Sequence, residues 1–483
     1  MIFSTRKIGI SEADLTKKFV RNSKAKEFVS LVIVDEEDIE NLKTMGLSKM
    51  HMAFVRESGF LGRKNEKIYL PNNQGKVTLA LVGKSSDQRE MGAVISSLAS
   101  NIYKITNSLS DEEYNEIVVG FLMSIYRFDY YLSGENRKER EQEAQVNLCI
   151  PDLFEVEPLV TLVASDFLAR DLINMPASDL NPNRFEKLVK EIVSNGKATV
   201  KVFKGDELLE QGFPLIHAVG RASNQAPRLI ELVWGNKTSP AVTIVGKGVC
   251  FDTGGLNIKG SGAMSLMKKD MGGGGIAVAL ANYIMKRNLN IRLKLLIPIV
   301  ENSISSSSFR PGDVLTSRKG KTIEVNNTDA EGRLILADAL AYADENSPSF
   351  IFCLATLTGA ARVALGSEVV PFYCDSDKLA DSIMQISKKS KDPLWRLPFY
   401  TPYEDQIKSR IADLDNAPSG GMAGSITAAL FLKKFVEKSE RFVHFDLYAW
   451  NIKKTPLMPV GAKAQVLPSL CGLVEFISDK KIQ

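Results

Sequence analysis

The sequence predicts an α/β protein with two domains, and three observations support this class. The chain has 483 residues, which is too many for one ordinary hydrophobic core. Its composition, 44% hydrophobic and 24% charged, is that of a globular protein. Strand-like and helix-like segments alternate from residue 175 onward. We therefore expect a smaller N-terminal α/β domain over 1–156, a connecting helix over 157–174, and a larger domain over 175–483 in which helices cover a mostly parallel or mixed sheet.

In the N-terminal region, short apolar and β-branched runs predict strands. These runs are FVSLVIV at 28–34, VTLALVG at 77–83 and VNLCI at 146–150. EMGAVISSLASNIYKI at 90–105 predicts a helix. The connecting helix, EPLVTLVASDFLARDLIN, begins with Pro158 near its start and ends before the loop-like sequence MPASDLNP.

In the C-terminal region, strands and helices are expected to alternate. The predicted strands are TIVGKGV, IRLKLLIPIV, KTIEV, FIFCLATL and FVHFDL. The predicted helices are GIAVALANYIMKR, LILADALAYA and SITAALFLKKFVEK. In such a fold, sites form in the loops that follow the carboxyl ends of the strands. The unusual loops with that placement are GKGVCFDTGGLNIKG, KKDMGGGG, NNTDAEGR and LTGAA.

The stretch NNTDAEGRLILADAL at 326–340 carries charged residues directly before an apolar segment. Asp329, Glu331 and Arg333 occupy alternate positions, so an extended backbone would place them on one face. From Leu334 the sequence predicts a helix that is apolar nearly all round and therefore buried. Two like charges at the start of a buried helix are costly unless cations lie between or beside them.

A second loop, at 245–275, adds further charged residues within glycine-rich sequence. It contains Lys247, Asp252, Lys259 and Asp270, and glycines allow a close approach of the backbone to a bound group. Together with the first stretch, this gives four carboxylates, which cannot all be ionised in a dry site by themselves. A pair of divalent metal ions bridged by shared carboxylates would remove the repulsion and would support hydrolysis.

Each motif taken alone also fits an ordinary structural role. Asp-x-Glu-x-Arg can form surface ion pairs, a lysine in a glycine-rich loop can bind phosphate or be solvated, and the four-glycine run can serve tight helix packing. The GKG sequence lacks the spacing of a phosphate loop, which disfavours a nucleotide site.

Composition argues against several other classes. The net charge of +4 gives no strong overall field for nucleic acid or membranes, so only a local charged patch could serve such binding. Five scattered cysteines without a CxxC motif fit a reducing cytoplasm. The N-terminal sequence lacks the apolar core of a secretory signal, and no apolar run is long enough to predict a membrane span.

With only His51, His217 and His444, a histidine-rich zinc site is excluded, so carboxylates must hold any metal.

The two loops together resemble a known enzyme family. NTDAEGRL at 327–334 and VGKG…FDTGG…IK…M…LMKKDMGG match the leucyl aminopeptidase (cytosol aminopeptidase) family, peptidase family M17. NMPASDLNP at 174–182 and PRLIEL at 227–232 extend the resemblance over about 155–483, and GFLMSIYRFDYY at 120–131 is a fainter match. The resemblance implies a hydrolase, a metalloexopeptidase that releases single amino acids from the N-terminus of peptides.

The resemblance also implies roles for the metal-binding residues. Asp252 and Glu331 would bridge two divalent ions, zinc and/or manganese. Asp329 would complete one metal site, and Lys247 and Asp270 would complete the other. A hydroxide shared by the two metals would attack the peptide bond.

Other positions carry implied catalytic and binding roles. Lys259 would polarise the scissile carbonyl. Arg333 would hold a bicarbonate that acts as general base. Met267, Thr356 and Gly359 match positions that line the pocket for the first side chain.

The chain departs from the family pattern in HFDLYAWN at 444–451, where Tyr448, Ala449 and Trp450 replace residues that are often small. The resemblance therefore does not predict a preference for leucine. It does predict a homohexamer that acts on peptides in the cytoplasm, away from membranes. A Cys-Gly or other dipeptidase role, or use of the fold as a DNA-binding scaffold, are the alternatives, and the small net charge makes nucleic acid the weaker one.

Overall fold

A computed structural model describes most of the chain in two compact units. The described residues are 10–42, 47–136, 145–194, 197–418 and 420–479. Unit 1 comprises residues 1–164 and 453–459, and unit 2 comprises residues 165–452 and 460–483. Both units combine a sheet with helices, which confirms the predicted α/β class.

Unit 1 contains a six-stranded sheet of order β1-β6-β5-β2-β4-β3. Its strands are β1 (Phe19–Arg21), β2 (Val29–Val34), β3 (Lys67–Pro71), β4 (Val77–Gly83), β5 (Asn101–Ile105) and β6 (Val146–Ile150). Its helices are α1 (Glu12–Thr16), α2 (Lys49–Ser58), α3 (Gln88–Ser96) and α4 (Asp111–Ser124). The β3–β4 pair is antiparallel and the other pairs are parallel.

The prediction of a helix over 90–105 is wrong for the second half of that segment. Helix α3 ends at Ser96, and Asn101–Ile105 forms β5 between β6 and β2. The hydroxyls of Ser96 and Ser97 donate hydrogen bonds to backbone carbonyls three residues earlier, at 2.8 and 2.7 Å. Such side-chain bonds compete with the helical pattern. The apolar spacing alone did not reveal this helix end.

The helix expected over 157–174 forms α5 (Glu157–Asn174). The division between the two units falls inside this helix, between residues 164 and 165. Its role as a connector, and the domain limits at 156 and 175, stay predictions.

Unit 2 is built on a nine-stranded mixed sheet whose main path is β16-β15-β18-β14-β9-β11-β8-β7, with β10 paired to β11. Its strands are β7 (Thr199–Lys204), β8 (Arg228–Trp234), β9 (Ala241–Gly246), β10 (Gly248–Asp252), β11 (Arg292–Asn302), β14 (Phe350–Ala355), β15 (Val370–Cys374), β16 (Leu394–Leu397) and β18 (Phe442–Asp446). Smaller sheets contain β12 (Val314–Thr316), β13 (Thr322–Glu324), β17 (Leu414–Asp415), β19 (Trp450–Asn451) and β20 (Gly461–Ala462).

Helices flank this sheet. They are α6 (Pro182–Val193), α7 (Glu207–Glu210), α8 (Pro214–Gly220), α9 (Ser261–Met264), α10 (Gly272–Lys286), α11 (Glu331–Asp344), α12 (Gly359–Leu365), α13 (Asp377–Ser390), α14 (Gly424–Lys433) and α15 (Leu467–Ser478). Helix α11 is buried at nearly every position, as its apolar sequence predicts. In the described part of the chain, no helix is long and apolar enough to cross a membrane.

The central strands explain where a site can form. Every residue of β14 is buried, and β14 pairs in parallel with β9 and β18. A strand with neighbours on both sides and covered faces needs a continuous apolar sequence. Polar side chains are therefore displaced to the strand ends, where β9, β10 and β14 lead into the loops that the sequence singled out.

Candidate functional site

Four loops and helix ends bring the predicted acidic residues together. Lys247 directly follows β9, and Asp252 is the last residue of β10. Asp270 lies in a 3-10 turn over Met267–Met271 that leads into α10. Glu331 is the first residue of α11. Residues far apart in sequence thus meet at one edge of the sheet of unit 2.

The expected alternation of Asp329, Glu331 and Arg333 in an extended segment is wrong. Helix α11 begins at Glu331, with Ala330 as its N-cap. Helical residues two positions apart point about 200° apart around the axis, so Glu331 and Arg333 do not share a face. Asp329 remains in the preceding loop, where its backbone N–H donates to Asn327 Oδ1 at 2.8 Å.

Three carboxylates form a cluster suited to a metal ion. Asp252, Asp329 and Glu331 each offer an oxygen within 4.8 Å of the others. Burial, followed by the charge of Asp252, raises the pKa of Glu331 to about 8 and that of Asp329 to about 6. Such shifts are expected where buried carboxylates carry more negative charge than the neighbouring cations offset. Carboxylate oxygens are hard ligands for divalent cations, so the donor set fits the metals that the sequence implies.

Lys247 lies within this acidic cluster. Its Nζ is 2.8 Å from Asp270 Oδ2 and 2.9 Å from Glu331 Oε1, and it donates to the carbonyl of Thr356 at 2.9 Å. Burial opposes its charge, but the two carboxylates outweigh burial and raise the pKa of Lys247. A Cβ on Gly332 would lie 2.6 Å from Cε of Lys247, so a glycine at that position leaves room for the amine.

Lys259 pairs with the other side of the cluster. Its Nζ is 2.8 Å from Asp252 Oδ2 and also contacts Asp329 Oδ1. Partial burial opposes the ammonium charge, but Asp252 and Asp329 raise the pKa of Lys259. The lysine therefore stays charged at neutral pH beside the carboxylates.

The four-glycine run packs tightly, and this packing positions Lys247 and Asp270. A Cβ on Gly273 would lie 2.0 Å from the carbonyl oxygen of Leu354. The backbone N–H of Gly274 donates to the carbonyl of Lys247 at 2.7 Å. Larger residues would push the start of α10 away from the ends of β9 and β14. These glycines therefore allow tight helix packing and, through that packing, position residues of the candidate site.

Two supporting residues were missed by the sequence analysis. Asn302, at the end of β11, donates from Nδ2 to Asp252 Oδ1 at 2.8 Å and to the carbonyl of Thr328 at 3.0 Å. The Thr328 hydroxyl donates to the carbonyl of Gly254 at 2.6 Å and accepts from the N–H of Asn257 at 2.8 Å. These bonds fasten the loop of Lys259 to the loop of Asp329. An asparagine ending the apolar run LLIPIVEN was the available signal.

Arg333 has the features of an anion site. Its side chain is buried, and its Nε and Nη1 have no hydrogen-bond partner among the described residues. Burial lowers the pKa of Arg333 to about 10, against the opposing effect of Glu331, so the guanidinium remains charged at neutral pH. A buried cation with free donors close to the start of α11 favours a small planar anion.

The predicted pocket residues lie on the loops around Asp270. Thr356 is buried, and its hydroxyl contacts the carbonyl oxygen and Oδ1 of Asp270 at 2.9 and 2.8 Å. Met267 begins the 3-10 turn that contains Asp270, and Gly359 begins α12. The structure thus ties Thr356 to the acidic cluster directly and places the other two on adjoining elements.

A second lysine beside Asp270 was also missed. Lys269 is 3% exposed, and burial lowers its pKa to about 7, with Asp270 acting in the opposite direction. Its Nζ lies 4.7 Å from the ring centroid of Tyr448. The sequence shows Lys269 only as a charged residue beside Asp270, and its burial becomes evident from the turn that contains it.

Comparisons with known proteins identify the family to which both parts of the chain are similar. Residues 167–470 match the cytosol aminopeptidase family, catalytic domain, and residues 31–149 match the M17 aminopeptidase, N-terminal domain. A cytosol aminopeptidase of Encephalitozoon cuniculi is 34% identical over 410 residues, which cover 82% of this chain and 83% of the relative. A probable cytosol aminopeptidase of Rickettsia felis is 30% identical over 485 residues, covering 93% and 97%.

Solved structures show the same fold. The cytosol aminopeptidase of Coxiella burnetii superposes with a TM-score of 0.88 at 39% identity, covering 95% of this chain and 99% of that one. The bottromycin maturation enzyme BotP in complex with Mn gives a TM-score of 0.81 at 28% identity, covering 94% and 100%.

Proposed function

Because this chain belongs to the cytosol aminopeptidase family of metal-dependent aminopeptidases, we propose that it hydrolyses the first peptide bond of peptides and releases single amino acids, using two divalent ions. The observation that carries this proposal is the convergence of Asp252, Asp329 and Glu331 within 4.8 Å. Lys247 and Asp270, 2.8 Å apart beside Glu331, extend the donor set.

In this proposal, Asp252 and Glu331 would hold both ions, Asp329 would complete one site, and Lys247 with Asp270 would complete the other. When bound, the ions supply Lewis-acid activation of water and of the scissile carbonyl. The proposed metals are zinc and/or manganese, and the BotP structure named above contains Mn. Lys247 can act as a ligand only after losing its proton, so metal binding releases protons.

Lys259 and Arg333 carry the remaining proposed roles. The Lys259 ammonium, which contacts Asp252 and Asp329, is proposed to stabilise negative charge that develops on the carbonyl oxygen. Arg333 is proposed to hold bicarbonate, which takes up a proton as general base, because its buried donors lack partners among the described residues. Restoration of lost activity by bicarbonate in carbon-dioxide-free buffer tests this role, and indifference to bicarbonate contradicts it.

We also propose that the enzyme is a cytoplasmic homohexamer acting on peptides. Support comes from the family resemblance, from the names of the relatives and from five free cysteines. A native mass near six times the 53.2 kDa of one chain is expected. A native mass near that of a single chain would contradict the hexamer.

The proposed activity makes a direct prediction about substrates. With added manganese or zinc, the protein should release free amino acid from leucyl- or alanyl-peptides, because an ion held by the acidic cluster would bind a free α-amino group but not an acetylated one. Matched N-acetylated peptides should resist hydrolysis, and a chelator should abolish release. Amino-acid analysis of the products is the measurement. Internal cleavage, or equal rates with the acetylated peptides, would contradict an aminopeptidase.

Metal affinity should increase with pH. Burial and the neighbouring carboxylate raise the pKa of Asp329 to about 6 and that of Glu331 to about 8. Protonated carboxyls do not bind metals, so protons compete with the ions below these values and no longer compete above them. Each released proton contributes about a tenfold change in affinity per pH unit. Calorimetric titration with manganese at pH 6 and pH 8 should show at least a tenfold tighter Kd at pH 8, and equal affinities would contradict this set of ligands.

A further inference from the structure

Lys269 is an unusual lysine because it is buried without a counter-ion. Only 3% of the residue is exposed, and no hydrogen bond or ion pair joins its Nζ to another residue in the described ranges. Its neighbour Lys268 is different, since the Lys268 ammonium donates to the carbonyl of Asn174 at 2.7 Å. A buried amine that lacks a partner costs free energy unless a ligand supplies one.

Asp270 and Asp446 are the carboxylates whose charges act on Lys269, and both already have other partners. Asp270 pairs with Lys247 and accepts from Thr356. Asp446 accepts four hydrogen bonds, namely two from the N–H groups of Leu357 and Thr358 and two from the hydroxyls of Thr358 and Ser425. Neither carboxylate forms an ion pair with Lys269 in the described part of the chain. The amine therefore remains available to an acidic group from outside the protein.

A second cation shares the aromatic ring that Lys269 contacts. The ring centroid of Tyr448 lies 4.7 Å from Lys269 Nζ and 4.6 Å from Arg362 Cζ. Tyr448 is half-buried and Arg362 is exposed. The ring of Tyr448 therefore lies between a buried amine and an exposed guanidinium.

This group adjoins the proposed substrate pocket. Lys269 follows the proposed pocket residue Met267 by two positions in the same 3-10 turn. Arg362 belongs to α12, which begins at the proposed pocket residue Gly359. Tyr448 follows the carboxyl end of β18, which pairs with β14. The loops that carry the proposed pocket therefore also carry the positive charge.

We propose that Lys269, Arg362 and Tyr448 form the specificity pocket for an acidic first residue, so that peptides beginning with glutamate or aspartate are preferred substrates. This inference rests on the proposed aminopeptidase function. The substrate carboxylate supplies the counter-charge and the hydrogen-bond acceptor that Lys269 lacks, and the Tyr448 ring packs against the aliphatic part of the substrate side chain. A neutral amide of the same shape supplies an acceptor but no charge.

The test compares acidic substrates with their isosteric amides. The values of kcat/KM are measured with manganese for fluorogenic amides of Glu, Gln, Asp, Asn and Leu. A hydrogen bond to a charged group predicts a preference of about tenfold to hundredfold for Glu over Gln. Lys269→Met, which keeps the length of the side chain, should bring the Glu/Gln ratio to about one, and Arg362→Met should lower it in the same direction. The control Lys237→Met, at an exposed loop position, should leave the ratio unchanged.

The outcomes separate this inference from the function on which it rests. Hydrolysis of the leucyl and glutaminyl substrates with a wild-type Glu/Gln ratio of one or less overturns the acidic pocket alone. A high ratio that survives in Lys269→Met overturns the assignment to Lys269. Failure to hydrolyse any substrate with metal present overturns the proposed function and this inference together. The wild-type comparison requires no variant, so it decides the matter even if a variant does not fold.

Discussion

Replacing Glu331 with glutamine should lower kcat/KM by about 10³-fold or more, equivalent to ~4 kcal/mol of transition-state stabilisation. The side chain is buried, lies within 4.8 Å of two other carboxylates and contacts Lys247 at 2.9 Å. Glutamine keeps the shape but removes the negative charge that holds the ions in the proposed site. The loss should therefore appear in turnover and in metal affinity together.

The fold should survive this exchange. Burial raises the pKa of Glu331 to about 8 in the folded protein. In the metal-free protein, ionisation of Glu331 therefore lowers the stability of the fold as the pH rises above the pKa that this residue has in the unfolded chain. Removing that carboxyl leaves Asp270 paired with Lys247 at 2.8 Å. Thermal unfolding should show a folded protein whose Tm no longer increases with manganese, whereas the wild-type Tm should increase.

The matched control is Glu210→Gln, which removes an exposed carboxylate from the short helix α7. It should keep both the turnover and the metal-dependent increase in Tm. Wild-type turnover in a folded Glu331→Gln variant would show that this carboxylate does not hold a catalytic ion.

Replacing Lys259 with methionine should reduce kcat by about 10² to 10³-fold while metal binding persists. Its ammonium lies 2.8 Å from Asp252 and also contacts Asp329. In the proposed reaction this charge stabilises the developing oxyanion, a role that bound ions only partly replace. Methionine retains most of the apolar volume, so the loop should keep its position.

Steady-state kinetics combined with manganese titration separates a role of Lys259 in catalysis from a role in organising the metal site. A large fall in kcat with a metal Kd close to that of wild type is the expected pattern for Lys259→Met. Loss of metal binding would instead show that Lys259 organises the acidic cluster. An unchanged kcat would show that Lys259 does not take part in the catalytic step. Lys237→Met again serves as the exposed control.

The sequence predicted the fold class and the loops of the site because both depend on local patterns. Continuous apolar runs identified β9, β11 and β14, and glycine-rich or acidic loops directly after strands marked the edge where the site lies. The residues that the resemblance implied as metal ligands lie together in the structure, since Asp252, Asp329 and Glu331 offer oxygens within 4.8 Å of one another and Lys247 contacts Asp270 and Glu331.

Other features depend on contacts between distant residues, which local patterns do not encode. The alternation of Asp329, Glu331 and Arg333 suggested an extended segment, but α11 already begins at Glu331. Asn302 acquires its role only because β11 lies beside β10. The surroundings of Lys269 likewise include Tyr448, which is distant in sequence.

Anomalous diffraction from manganese-soaked crystals of the protein would show whether the acidic cluster holds two ions. Two manganese peaks per chain are expected, one bounded by Asp252, Asp329 and Glu331, and the other by Lys247, Asp252, Asp270 and Glu331. A well-ordered map in which these side chains surround no anomalous peak, at manganese concentrations that support turnover, would contradict the two-metal mechanism.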